Sequence, residues 1–144
     1  MTPNDDILPA PALEPAFTLS AVLGEATVIG RLATGGVREY RAVCGGRFTG
    51  PGAEGDLLTG GETWLRRSDG VSVVEAVYLV RTEHGSVLRL IGTGYDVDAD
   101  GFAGTRMTIV VEVDEEGEFG WLSTRAFVAE RPPGSDVFAI ALVA

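Results

Sequence analysis

The segment Val71–Arg81 limits what this chain can fold into more than any other. Val73, Glu75, Val77 and Leu79 fall on one face of a two-residue repeat, and Val74, Ala76, Tyr78 and Val80 fall on the other. Both faces are largely apolar. An extended segment of this kind needs cover on both sides, from a filled barrel with an outer layer or from a subunit interface. Elsewhere glycine and β-branched residues interrupt every candidate helix, which argues against a helical bundle or a doubly wound fold.

The rest of the chain repeats the pattern. Phe17–Leu23 alternates with period two, and Ala26–Leu32 and Val37–Cys44 flank the turn Thr34-Gly35-Gly36. Thr63–Arg67 meets Val71–Arg81 across Ser68-Asp69-Gly70, and Glu83-His84-Gly85 turns the chain into Ser86–Thr93. With Met107–Asp114, Phe119–Ala129 and Asp136–Val143 the total reaches about nine or ten strands. Strands arriving as successive hairpins favour closure, because a closed barrel leaves no exposed edge. The predicted fold is all-β, a single antiparallel β-barrel over residues 16–144, preceded by an irregular proline-rich leader over residues 1–15. Two stretches stand out as cavity walls. Cys44–Trp64 carries seven glycines among Phe48, Leu57, Leu58 and Trp64, and predicts a hinge between strands. Gly92–Gly104 holds four glycines and three aspartates and predicts a lid or cavity mouth.

Gly45–Pro51, the Leu58–Trp64 turn, Ser68-Asp69-Gly70-Val71 and the late Gly120-Trp121-Leu122 with Phe127-Val128 resemble the successive hallmarks of the domain of unknown function 3237 family of small bacterial proteins. The resemblance covers nearly everything after Phe17. It implies a compact antiparallel barrel of lipocalin-like size and no settled activity. Similar members usually carry an acid where Thr63 stands, an arginine where Val77 stands and an asparagine where Ser123 stands, whereas this chain keeps Trp64, Glu75, Tyr78 and Trp121. The resemblance therefore implies a lumen less polar than its relatives', to which a function based on the acid–arginine pair does not transfer.

Charge narrows the partners. Twenty-one acids against 11 basic residues, all of them arginine, give a net charge of −10. That repels phosphate backbones and anionic headgroups, so neither nucleic acid nor membrane is an expected partner. Cys44 is the only cysteine, which forbids an internal disulfide. There is neither a basic n-region with an apolar run nor a stretch near the ~18 apolar residues of a membrane span, so a cytoplasmic location is expected.

Familiar catalytic motifs are missing. His84 is the only histidine and falls in a turn, no serine lies in a nucleophile elbow, and Cys44 has no local partner to lower its pKa. Asp96, Asp98, Asp100 and Gly101 resemble the start of a calcium loop, but Met107 stands where a bidentate glutamate is needed. One His and one Cys make no zinc site, and no glycine pattern fits a nucleotide, so no metal or cofactor is expected.

The lumen remains. On an interior face Glu75 would be a carboxylate in an apolar wall, where burial raises a carboxyl pKa toward neutrality; the alternative is that Glu75 faces water or pairs with an arginine. Arg125, which shares a strand face with Trp121, Ser123 and Phe127, is its natural partner, so Glu75 and Arg125 are the candidate catalytic pair. Trp64, Tyr78, Trp121, Phe127 and Tyr95 are the candidate substrate-binding residues. The expected function is a cofactor-independent cyclase or isomerase, using pericyclic or proton-transfer chemistry on a hydrophobic metabolite of natural-product type such as a polyketide. The alternative is a non-catalytic small-molecule-binding barrel. Val137–Val143, apolar on both faces, adds the expectation of a homodimer, unless the leader covers its outer face.

Overall fold

Alternating segments become ladders once each finds a neighbour of matching register. The computed structural model describes residues 9–99 and 101–144. Nine strands follow in order: β1 (Leu13–Leu23), β2 (Thr27–Arg31), β3 (Val37–Thr49), β4 (Gly55–Arg66), β5 (Ser72–Thr82), β6 (Val87–Ala99), β7 (Phe102–Glu112), β8 (Phe127–Arg131) and β9 (Val137–Val143). All pairings are antiparallel, in the order β1-β9-β8-β7-β6-β5-β4-β3-β2. A further β1–β3 ladder closes eight strands into a barrel and leaves β2 outside it.

Closure depends on β3 changing partners. Its first residues pair with β2, as in Val28↔Glu39, while Gly45 to Thr49 pair with β1. Gly45 and Gly46 lie at the switch with φ of 154° and 157°, and a Cβ on Gly46 would sit 1.9 Å from the Ser20 carbonyl oxygen. Only glycine lets the two backbones approach this closely.

Eight strands give an interior about wide enough for side chains to fill. Leu19, Phe48, Tyr78, Leu90, Phe127 and Phe138 fill it, and the residual void beside Phe17 and Leu122 is about 10 Å³, no larger than one water. The lumen is thus the hydrophobic core, and it leaves no room for a ligand. A 3₁₀ turn, Gly120–Thr124, plugs one end by burying Leu122, with Phe119 beside it. The opposite end is open.

Several expectations change. Cys44–Trp64 is the end of β3 and nearly all of β4, interrupted only by the bend at residues 50–54, so it forms barrel wall and no hinge. Gly92–Gly104 is the β6–β7 hairpin, paired out to Ala99↔Phe102, and not a lid. Phe119–Ala129 is not one strand, because Gly120 starts the 3₁₀ turn before β8. Leu13–Pro15, assigned to the leader, already belong to β1; residues 1–8 lie outside the described residues.

The outer wall carries an open trough of about 880 Å³ whose lining includes Val73, Gly94, Tyr95, Val128, Ala139 and Ala141. Among the described residues no helix is long and apolar enough to cross a membrane.

Candidate functional site at the barrel mouth

Inward-facing residues at the open end of the barrel should be apolar if they serve packing alone. Here they are charged. On β4, Glu62 and Trp64 are two residues apart and both point inward. Arg131, the last residue of β8, continues the inward series Phe127, Ala129 and is likewise buried.

Arg131 grips Glu62 with two parallel hydrogen bonds, Nη1 donating to Oε2 at 2.9 Å and Nη2 to Oε1 at 3.0 Å. Trp64 Nε1 donates to Oε1 at 2.9 Å, and the Tyr78 hydroxyl to Oε2 at 2.5 Å. The Glu62 side chain is 0% exposed and that of Arg131 7%. Burial pushes the Glu62 carboxyl up, but the hydrogen bonds and charge of Arg131, helped by Tyr78 and Trp64, outweigh it and hold the group below the usual carboxylate range. Burial opposes the charge on Arg131, and Glu62 more than restores it, so the guanidinium pKa is raised. Burial, and then the Glu62 charge, push the Tyr78 phenol far up. The network is therefore a fixed ion pair with two neutral donors, and it offers no group that titrates near neutrality.

A second tier lies above it. Arg131 Nη2 also reaches Thr105 Oγ1 at 3.4 Å, and Thr105 donates to Asp96 Oδ2 at 2.7 Å. Arg41 on β3 lies over the Trp64 ring, its guanidinium carbon 4.2 Å from the centroid, a cation–π placement. Arg41 Nε is buried without a hydrogen-bond partner among the described residues, and Nη2 makes only a 3.5 Å ion-pair contact with Glu39. Arg41, Trp64, Asp96, Thr105 and Arg131 line a cavity of about 410 Å³, rimmed by Leu23 and the Pro132–Asp136 turn. That volume is within the ~300–1,000 Å³ usual for small-molecule sites.

Of the residues singled out in the sequence, the structure brings Trp64 and Tyr78 together through Glu62, though Tyr78 lies beneath the cavity and is fully buried. The others go elsewhere. Glu75 points outward and is exposed, paired across strands with Thr63 and Thr93, because Val74, Ala76, Tyr78 and Val80 are the inward set. Arg125 is exposed just after the 3₁₀ turn at the plugged end and makes no ion pair with Glu75; that turn breaks the strand alternation which was to aim it inward. Trp121 is 48% exposed on the same turn, Phe127 is buried in the core away from the mouth, and Tyr95 is 52% exposed on the outer wall.

An acid–arginine pair is nonetheless present in this chain, formed by Glu62 and Arg131 and not at the positions of Thr63 and Val77. Period-two counting offered a signal for both, since Glu62 shares a face with Trp64 and Arg131 a face with Phe127. Asp96 belongs to the calcium-like run, whose member Asp100 lies outside the described residues; among those described, no three His, Cys, Asp or Glu side chains converge as a metal site.

Comparison with known proteins settles the kinship. The model of a family described as protein of unknown function (DUF3237) matches residues 11–137. The chain belongs to that family. Nothing among curated proteins matches this DUF3237 member. Its barrel is similar to a protein of unknown function from Clostridium acetobutylicum, with TM-score 0.85 and 18% identity over 93% of this chain and 99% of the other. It is also similar to a conserved protein of unknown function from Rhodopseudomonas palustris, with TM-score 0.82 and 24% identity over 95% and 100%. An enzyme from Penicillium herquei aligns with TM-score 0.78 and 18% identity over 96% and 98%. At these identities the likeness establishes a shared barrel and nothing about chemistry.

Proposed function

We propose that this DUF3237 protein is a cofactor-independent cyclase or isomerase of a hydrophobic, carbonyl-bearing small molecule of natural-product type, and that it works at the barrel mouth and not in the lumen. The observation that carries the reading is the buried Glu62–Arg131 pair, held by Tyr78 and Trp64 directly beneath an open cavity. Apolar residues of similar volume there would be neutral or more stabilising, so the pair is poorly explained by stability alone. It fixes Trp64 and Arg131 as a preorganised floor on which a substrate can be held in one reactive shape. That one barrel of this fold, at 18% identity, is described as an enzyme is in keeping with the reading.

A second reading, a non-catalytic binding protein, is favoured by one specific fact. Both Glu62 oxygens are already occupied by internal donors, so Glu62 itself moves no proton.

The test is a set of hydrophobic ketones screened by the shift of the Trp64 indole N–H resonance, each binder then incubated and its products separated by chromatography with mass detection. Cyclisation and isomerisation leave the mass unchanged, so a new peak at the parent mass supports turnover. Binding with no new peak supports the second reading. If no ketone moves the Trp64 signal, the mouth is not a site.

A further inference from the structure

The groups at the mouth divide into those that make up the buried Glu62–Arg131 network and those at its margin with polar atoms outside it. Glu62 is spent on four contacts. Arg131 commits three of its five N–H donors, two to Glu62 and one to Thr105, and the Thr105 hydroxyl lies between Arg131 and Asp96. Two groups that line the cavity lie at that margin. Asp96 accepts a single side-chain hydrogen bond among the described residues, at Oδ2, which leaves Oδ1 open. The Arg41 side chain makes no hydrogen bond among the described residues, only the 3.5 Å ion-pair contact with Glu39, and its guanidinium carbon lies 4.2 Å from the Trp64 ring centroid. They stand on different walls, Asp96 on β6 and Arg41 on β3.

We infer that Asp96 is the proton-carrying base of the site and Arg41 the donor that holds the developing oxyanion. The inference rests on the proposed reading of the mouth as a substrate site. A substrate carbonyl oxygen meets Arg41. The Asp96 carboxylate takes a proton from the carbon next to that carbonyl, and the C–H electron pair moves onto the oxygen to give an enolate paired with Arg41. Protonated Asp96 then returns the proton to a carbon of the enolate system, the electrons fall back from oxygen, and the isomer leaves with its formula unchanged. No oxidant, reductant or second substrate is consumed. The buried ion pair then contributes to the chemistry as well, because through Thr105 it ties one oxygen of Asp96 and leaves the other without a side-chain donor at the cavity wall, which makes Thr105 a positioning residue.

The experiment uses 2-tetralone, a neutral, readily enolised ketone small enough for the cavity. Binding is read from the Trp64 indole N–H signal, and loss of the α-protons in D₂O is followed by proton NMR. Wild-type protein is expected to speed exchange above buffer. Asp96→Asn should cut the enzymatic rate by about 100-fold or more, the usual contribution of a general base. Arg41→Gln should slow exchange about 10-fold or more while tetralone still binds, as befits a lost oxyanion donor. Thr105→Val, which keeps the shape, should lower the exchange rate at saturation and leave the binding constant unchanged. If tetralone moves the Trp64 signal but wild type exchanges no faster than buffer, or Asp96→Asn exchanges as fast as wild type, the assignment is wrong and the mouth is a binding site only. If tetralone leaves Trp64 unmoved, the reading of the mouth fails, and the assignment with it. Should Asp96→Asn not fold, Arg41→Gln decides by the same rates.

Discussion

Replacing Glu62 by Gln changes one oxygen to an amide and removes one charge, yet it should be among the most damaging isosteric changes in the chain. In the wild type the two oxygens accept from four donors at 2.5–3.0 Å, with no exposure to water. Glutamine keeps one acceptor and turns the other into a donor that faces an Arg131 N–H and one of the two neutral donors at once. The guanidinium, 7% exposed, is then left as a buried charge without its counter-ion. Removing one partner of such a pair costs about 3–5 kcal/mol, a large part of the ~5–15 kcal/mol that holds a domain together. With a urea m-value of about 2 kcal/mol/M, the unfolding midpoint should fall by about 2 M. The double variant Glu62→Leu/Arg131→Met should recover part of the loss, since no charge is left unpaired. Recovery stays incomplete because Tyr78 and Trp64 lose their acceptor, at about 1–3 kcal/mol for each buried donor. The pair also makes stability depend on acid. The Glu62 carboxyl lies below the usual carboxylate range in the folded state, so its contribution is fully present above the unfolded glutamate pKa and is lost as pH falls through the lower folded value. Glu62→Gln should therefore be less acid-sensitive than wild type. A variant whose unfolding free energy at pH 7 lies within about 1 kcal/mol of wild type would show that the network holds nothing in place.

Three further outcomes are expected. Trp64 is 9% exposed and Trp121 48%, so Trp121→Phe should leave a blue-shifted emission that acrylamide quenches weakly, and Trp64→Phe the reverse; equal quenching of both would contradict the placement of either ring. Gly46→Ala puts a methyl group against the Ser20 carbonyl oxygen at a positive φ, and should cost more than the ~1 kcal/mol typical of a point change; an unchanged thermal midpoint would mean that the β1–β3 closure tolerates a side chain. We propose that the outer trough, with Tyr95, Val128, Ala139 and Ala141 in its lining, covers itself in a homodimer, which sedimentation at micromolar concentration should detect; a species of 15.1 kDa throughout would remove the dimer.

The fold was legible because its determinants are local and repeated. Alternation in Val71–Arg81, and turns such as Ser68-Asp69-Gly70 and Glu83-His84-Gly85, specify hairpins without reference to the rest of the chain, and closure follows from hairpins in series. The site was less legible because it depends on which of two apolar faces turns inward, a choice that Val71–Arg81 does not make by itself. With Val73, Val77 and Leu79 on one side and Val74, Tyr78 and Val80 on the other, the composition of β5 is nearly neutral, and Glu75 goes inward or outward with the sign of that choice. The neighbours decide it. Ala76 pairs with Gly92 and Glu62, Tyr78 needs the Glu62 carboxylate as acceptor, and Glu62 needs Arg131, which is 69 residues away in sequence. A phenol and an indole buried without an acceptor would each cost about 1–3 kcal/mol, and an unpaired buried guanidinium more, so the face that satisfies all three becomes the inner one and Glu75 is left to water. The same polar network that sets the orientation of β5 also builds the floor of the mouth, so stability and site share residues. Variants at Glu62 or Arg131 therefore report on both at once, whereas Asp96 and Arg41, at the margin of that network, are where the proposed chemistry is separable from folding.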